Sequence, residues 1–235
     1  MTGVVNINKP IGRSSHFAVA VIRRITKIKK VGHTGTLDPM ATGVLPICIG
    51  REATKLSQLI MDSQKEYKAV LKLGITTTTQ DGEGEITSEK EVTSTKEEVE
   101  NAINSFVGEI TQIPPMYSAI KINGKKLYEL ARKGVEVERE PRKVTIHYIN
   151  ILNVDMKENE AEIVIGCSKG TYIRTLCNDI GEKLGCGGYM KSLVRTKCGG
   201  FDIEDSITLE EFEELFKEGK AETVLVSPEE IKERE

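Results

Sequence analysis

The run Gly32-His33-Thr34-Gly35-Thr36-Leu37-Asp38-Pro39-Met40-Ala41-Thr42-Gly43 restricts the fold more than any other stretch of this chain. Three glycines and a proline in twelve residues exclude a regular element, so the composition predicts an ordered loop. Before it, Phe17, Ala18, Val21, Ile22 and Ile25 recur at helical spacing, with Ser14 or Ser15 as the cap of a helix ending near Thr26. After it, Val44–Ile49 reads as a buried strand. One carboxylate, Asp38, is thus presented on a stiff connection. Pro39 removes a backbone donor and biases Asp38 toward an extended conformation. Two roles fit Asp38: capping its own turn, or meeting a ligand. His33 can simply bond to the loop backbone. A phosphate cradle is excluded, because the GK[ST] that completes a P-loop is absent.

The surrounding chain mixes strands and helices without strict alternation. Strands are expected at Gly3–Asn8, along Tyr67-Ala69-Leu71-Leu73, at 143–154, 161–168 and 189–197. Helices are expected at 52–61, behind the capping box Thr95-Lys96-Glu97-Glu98 and ending at Gly108, near 125–133, at 175–184 and at 209–217. Lys9-Pro10-Ile11-Gly12 and Asp81-Gly82-Glu83-Gly84 read as turns. This pattern predicts an α+β fold with a mixed, mostly antiparallel sheet. No low-complexity linker divides residues 1–235, so one catalytic domain is expected, with an acidic tail over 201–235.

The formal net charge is only −3, which excludes a uniformly basic nucleic-acid coat, yet the charge is segregated. Residues 1–60 carry +7, 121–146 carry +4 and 169–198 carry +4, against −7 over 80–109 and −9 over 201–235. No apolar run approaches the roughly 20 residues of a membrane helix, and residues 1–20 lack the organisation of a signal peptide. Five cysteines without a CxxC pair, and three histidines, give a zinc site little to work with. A cytoplasmic protein without metal is expected.

Two further segments carry chemistry. Lys169-Gly170-Thr171-Tyr172-Ile173-Arg174-Thr175 connects a strand to a helix. On an extended stretch Tyr172 and Arg174 point the same way, and inside a helix they diverge by about 200°. An arginine there can orient a carboxylate such as Asp38, or lie at the surface. Residues 112–143 place Lys121, Lys125, Lys126, Arg132, Lys133, Arg139, Arg142 and Lys143 among Met116, Tyr117 and Tyr128. Phosphate contacts with stacking aromatics suit folded RNA, and a solvated charged face is the alternative. On residue type alone, Tyr67 and Leu193 read as packing residues.

Asn6-Ile7-Asn8-Lys9-Pro10, the 32–43 run, Gln112-Ile113-Pro114-Pro115-Met116-Tyr117-Ser118-Ala119 and the 169–175 run occur in this order. Together they resemble the bacterial TruB family of tRNA pseudouridine synthases over residues 3–200. The resemblance implies a pseudouridine-synthase fold with an RNA-gripping insertion at 112–143. It implies isomerisation of the uridine at position 55 in the tRNA T-loop, after the base flips out, by a monomer using no cofactor and no obligatory protein partner. It assigns Asp38 as nucleophile, Tyr67 as the tyrosine stacked on the base, and Arg174 as the partner of the carboxylate, while the base that takes the C5 proton is left between Tyr67 and, second, Tyr172. His33 then helps fill the vacated stack, Tyr172 and Leu193 line the pocket, and Lys9 and Pro10 support it. Lys125, Lys126 and Arg132 fall in the RNA grip. Attack on C1′ of the ribose, attack on C6 of the uracil, and action after removal of a sugar proton all remain open. A tRNA-folding activity, an RNA-guided enzyme and a metal-dependent hydrolase are the competing readings. The family's small C-terminal RNA-binding domain of the PUA type is expected to be missing here.

Overall fold

A computed structural model describes residues 1–122 and 124–234. Asn123, within the 112–143 insertion, and Glu235, at the end of the acidic tail, lie outside the described residues. The chain forms two compact units, the first from residues 1–68 and 193–235, the second from Ala69–Ser192.

The first unit opens with strand β1 (Gly3–Lys9) and helix α1 (Ser15–Thr26). Ser14 caps α1 by accepting the Phe17 N–H, and Lys27 ends it in the left-handed conformation. Strands β2 (Val31–His33) and β3 (Thr42–Ile49) follow, then helices α2 (Arg51–Lys55) and α3 (Ser57–Asp62). The single helix expected over 52–61 is therefore broken at Leu56. The 32–43 run is also shorter as a loop than expected. Gly32 pairs with Cys48 and His33 with Ile47, so only residues 34–41 are irregular. A ladder to β3 supplies the hydrogen bonds that glycine propensity argues against.

β3 is the hub of this unit. β1 runs antiparallel along its whole length, from Gly3 opposite Ile49 to Lys9 opposite Gly43. Its other edge is shared. β2 takes the C-terminal end, and Val194 and Arg195 pair in parallel with Thr42 and Gly43. Gly43 is needed there, because a Cβ would lie 2.2 Å from the Arg195 carbonyl oxygen, and its φ is +99°. Val4, Val44, Cys48, Ile60 and Cys198 form a fully buried core.

Strand β4 (Lys65–Leu73) carries the chain into the second unit. There follow β5 (Ile75–Thr77), β6 (Ile86–Glu89), α4 (Lys96–Asn104), β7 (Gly108–Gln112), β8 (Lys121–Ile122), β9 (Lys125–Lys126) and α5 (Leu127–Ala131). The Thr95–Glu98 capping box is present, but α4 ends at Asn104, and Gly108 starts β7 at φ +113°. Strands β10 (Arg142–Asp155) and β11 (Glu160–Cys167), helix α6 (Ile173–Lys183) and strand β12 (Gly188–Cys198) complete it. β7, β10 and β11 are antiparallel neighbours. β12 returns the chain to the first unit, which ends with β13 (Phe201–Asp202), α7 (Leu209–Lys217), β14 (Leu225–Val226) and α8 (Pro228–Arg234). The parallel β3–β12 pair among antiparallel neighbours makes the sheet mixed and mostly antiparallel, as expected from sequence. Among the described residues, no helix is long and apolar enough to cross a membrane.

Candidate active site

In the first unit, the backbone on both sides of Asp38 is held in place. Leu37 is buried, and the Ser15 hydroxyl bonds it twice, accepting its N–H at 2.8 Å and donating to its carbonyl at 3.0 Å. On the other side, the Pro39 carbonyl accepts the Gly12 N–H at 2.8 Å and the Lys9 ammonium at 3.2 Å. The turn closes as the Asp38 carbonyl accepts the Ala41 N–H at 3.0 Å. A half-buried carboxylate is thus carried on a segment that cannot slide. Lys9 is fully buried and also donates to the Pro10 and Arg13 carbonyls, while Pro10 is exposed at the turn.

Arg195 lies beneath the same loop, 1% exposed. Its Nε donates to the Val44 carbonyl at 2.7 Å and its Nη2 to the Gly35 carbonyl at 3.4 Å. Residue type alone marks Arg195 as a surface cation, so sequence reasoning does not single it out. Its partners lie 151 and 160 residues away. His33 Nδ1 accepts the Gly35 N–H at 3.3 Å, which requires a neutral ring at that nitrogen. Burial first, then the Arg195 charge and His16, hold its pKa below the ordinary imidazole value. A cation near a base disfavours its protonated form, so Arg195→Met should raise the His33 pKa. The rise should be partial, because burial is the larger cause and remains. Following the imidazole carbon protons by NMR against pH checks both values, and an unchanged His33 titration in the variant would refute the assignment.

Tyr67 is half-buried on β4, on the face that carries the buried Lys65, Ala69, Leu71 and Leu73. Leu193 is buried on β12. All five cysteines are buried free thiols, and burial pushes Cys48 and Cys177 up to about 12. Neither of these two is a thiolate nucleophile at neutral pH. Among the described residues, no group of three or more His, Cys, Asp or Glu side chains could hold a metal ion.

In the second unit, α6 begins one residue after Tyr172, which is its extended N-cap, at φ −98° and ψ 106°. Arg174 is therefore on the first helical turn, and the extended stretch that would align Tyr172 with Arg174 is not formed. Gln112, at the end of β7, fixes Tyr172 by accepting its N–H at 3.1 Å and donating to its carbonyl at 3.2 Å. Arg174 is 5% exposed and forms an ion pair with Asp81, Nη1 to Oδ2 at 3.3 Å. Its Nη2 donates to the Tyr117 carbonyl. Asp81 Oδ1 accepts the Thr79 hydroxyl and the Glu83 N–H. On sequence alone Asp81 reads as an ordinary turn residue. Nothing local marks it otherwise, since its cation lies 93 residues further along the chain.

The 112–143 insertion contains the short β8–β9 hairpin, with Lys121 opposite Lys126 and Ile122 opposite Lys125. Lys125 and Arg132 are exposed or nearly so, at the surface of the insertion. Lys126 and Arg132 both lie over the Tyr128 ring, at 5.4 and 5.5 Å from its centroid. Leu127 is fully buried and holds this basic, aromatic surface to the unit.

Residues 23–173 match the model of the TruB family pseudouridylate synthase N-terminal domain, and residues 174–230 that of the tRNA pseudouridylate synthase B C-terminal domain. The chain is 58% identical to tRNA pseudouridine synthase B of Alkaliphilus oremlandii, over 92% of this chain and 71% of that protein. It is 50% identical to the protein of the same name from Pseudomonas fluorescens, over 95% of this chain and 72% of that one. Among solved structures, a chain of a Cbf5-Nop10-Gar1 complex superposes with a TM-score of 0.76 at 31% identity, over 97% of this chain. This chain spans about three fifths of that one, 61%. With the loop around Asp38 clamped on both sides and both family models matched, the chain belongs to the TruB family of pseudouridylate synthases and has their fold.

Proposed function

We propose that the chain converts the uridine at position 55 in the T-loop of tRNA into pseudouridine, with Asp38 as nucleophile. The observation that carries this reading is the clamp on Leu37 and Pro39, which fixes the one carboxylate of the loop. The names of its relatives supply the tRNA substrate.

The reaction breaks the N1–C1′ bond, turns the uracil and forms a C5–C1′ bond. The C5 proton leaves and N1 regains one, so nothing is oxidised. Reaching C1′ or C6 requires the base to leave its stack, at a cost of a few kcal/mol. A loop nucleotide starts with less stacking to lose than a duplex one. Tyr67 recovers roughly 1–3 kcal/mol by stacking on the extruded base. Asp38 then forms a covalent intermediate, splitting one hard step into two. In this reading Arg174 keeps the carboxylate ionised as water is excluded, and Asp81 keeps Arg174 from turning away. His33 fills the space the base leaves, and Tyr172 and Leu193 line its pocket. Tyr67 is the first candidate to take the C5 proton.

Mapping which uridine of an unmodified tRNA transcript becomes pseudouridine tests reaction, substrate and position together. Conversion at position 55 by the purified chain alone is expected. Conversion only with an added guide RNA would overturn the reading in favour of an RNA-guided enzyme.

The insertion supplies the backbone grip. Reversing charge at Lys125, Lys126 and Arg132 should weaken tRNA binding and flatten its salt dependence, by about 0.7–0.9 in log–log slope for each phosphate that is no longer neutralised. Binding isotherms at several salt concentrations check this, and a slope equal to that of the unmodified protein would remove the insertion from the RNA interface.

A further inference from the structure

The first unit has an exposed surface next to Asp38 that the reaction above does not use. The turn after β1 is tied to the residue following Asp38. The Gly12 N–H donates to the Pro39 carbonyl, and the Lys9 ammonium joins the Pro39 and Arg13 carbonyls. Ile11 projects from this turn, 71% exposed, although it is a large apolar residue. Phe17, on the first turn of α1, is 38% exposed. The Arg13 guanidinium covers its ring at 4.8 Å from the centroid. Gly12 has φ +73°, and nothing lies within 4 Å of where its Cβ would be, so the tip of the turn is open.

Charge decides what this surface takes. An apolar patch alone fits a protein, a lipid surface or a nucleobase. Here no Asp or Glu occurs before Asp38, while Arg13, Arg23, Arg24, Lys27, Lys29 and Lys30 all precede it. A flat apolar face beside a guanidinium complements a polyanion that has π faces of its own. Arg13 is the cation at this surface, whereas Arg24 near the other end of α1 pairs with Glu213 of α7 at 4.0 Å.

We propose that Ile11, Arg13 and Phe17 form a nucleotide-binding surface of the first unit, which holds a base and phosphate adjacent in sequence to the uridine presented to Asp38. Phe17 and Ile11 receive the base, and Arg13 meets the phosphate. The hydrogen bonds to Pro39 make this surface and the catalytic loop one rigid piece, so a nucleotide seated on the turn sets where its neighbour is delivered. The inference rests on the RNA-modifying reading above.

The test uses the full chain with a tRNA T-arm stem-loop carrying 2-aminopurine, singly, at the positions flanking the target. In the unmodified protein, one flanking position should lose fluorescence on binding. Phe17→Ser should restore that fluorescence and weaken binding by about 5–20-fold, in line with the loss of one stacked base. Arg13→Gln should lower the log–log salt slope by about one. Ile86→Ser, at an exposed apolar residue of β6, serves as the control and should bind as the unmodified protein does. Melting temperatures, measured alongside, should show each variant folded at the temperature of the binding assay. If the unmodified protein converts uridine while Phe17→Ser and Arg13→Gln keep its affinity, salt slope and quenching, this surface does not touch RNA. If the unmodified protein converts no uridine in tRNA, the parent reading fails instead.

Discussion

Asp38→Asn should abolish turnover and leave tRNA affinity within about threefold of the unmodified protein. Asparagine matches aspartate in size, and the bonds that fix this segment come from Ser15, Gly12 and Lys9 to the backbone of Leu37 and Pro39. The backbone bonds of the loop should therefore persist, while the variant loses a charged oxygen able to form a covalent bond. Removal of a residue from a nucleophilic triad costs on the order of 10⁴–10⁶ in rate where it has been dissected. Tritium release from 5-tritiated uridine in tRNA measures the rate, and filter binding measures the affinity. A residual rate within tenfold of the unmodified protein would mean that Asp38 is not the nucleophile. A large loss of affinity would mean instead that the carboxylate helps to hold RNA.

Asp81→Ala should be the most destabilising single exchange outside the hydrophobic core. It leaves the Arg174 guanidinium in a site where the two side chains are only 6% and 3% exposed. Breaking one partner of a buried pair costs about 3–5 kcal/mol, which for a chain of this size is a fall in melting temperature of about 6–20 °C. The comparison that isolates the pair is Asp81→Leu with Arg174→Met. Together they remove both charges, so the double variant should be more stable than Asp81→Leu alone. Thermal denaturation followed by circular dichroism reads all three. Additive losses would show that the two side chains stabilise the protein independently. Turnover should fall in each variant, because each removes the Arg174 guanidinium or the Asp81 carboxylate that orients it.

The parts of this molecule that sequence discloses are those set by local rules. α1 with its Ser14 cap, the alternation along β4, the capping box of α4 and the bounds of α7 all follow from residues a few positions apart. The strands β5, β6, β13 and β14 escape such reading, because runs of two to four residues are too short to establish a period. Gly32 and His33 read as loop because glycine is a poor strand former, and pairing with β3 overrides that preference. The candidate site divides in the same way. Asp38 and His33 stand out by their glycine- and proline-rich setting. Asp81 and Arg195 do not, because each acquires its significance from a partner more than 90 residues distant. The roles of Tyr67, Tyr172 and Leu193 come from family likeness alone. As isolated residue types they are ordinary packing residues.

The first unit is assembled from both ends of the chain, with residues 69–192 intervening. On the ribosome, therefore, β1, α1 and β3 emerge long before the β12 and β14 segments that pair with β3 and β1. At about 5–20 residues per second, synthesis of the intervening residues 69–192 alone takes roughly 6–25 s. The second unit is contiguous and can close during this interval, whereas the nascent N-terminal strands stay with bare edges open to wrong partners. Their positive charge, unrelieved by any acid before Asp38, keeps such segments apart in neighbouring nascent chains until β12 and β14 arrive to pair with them.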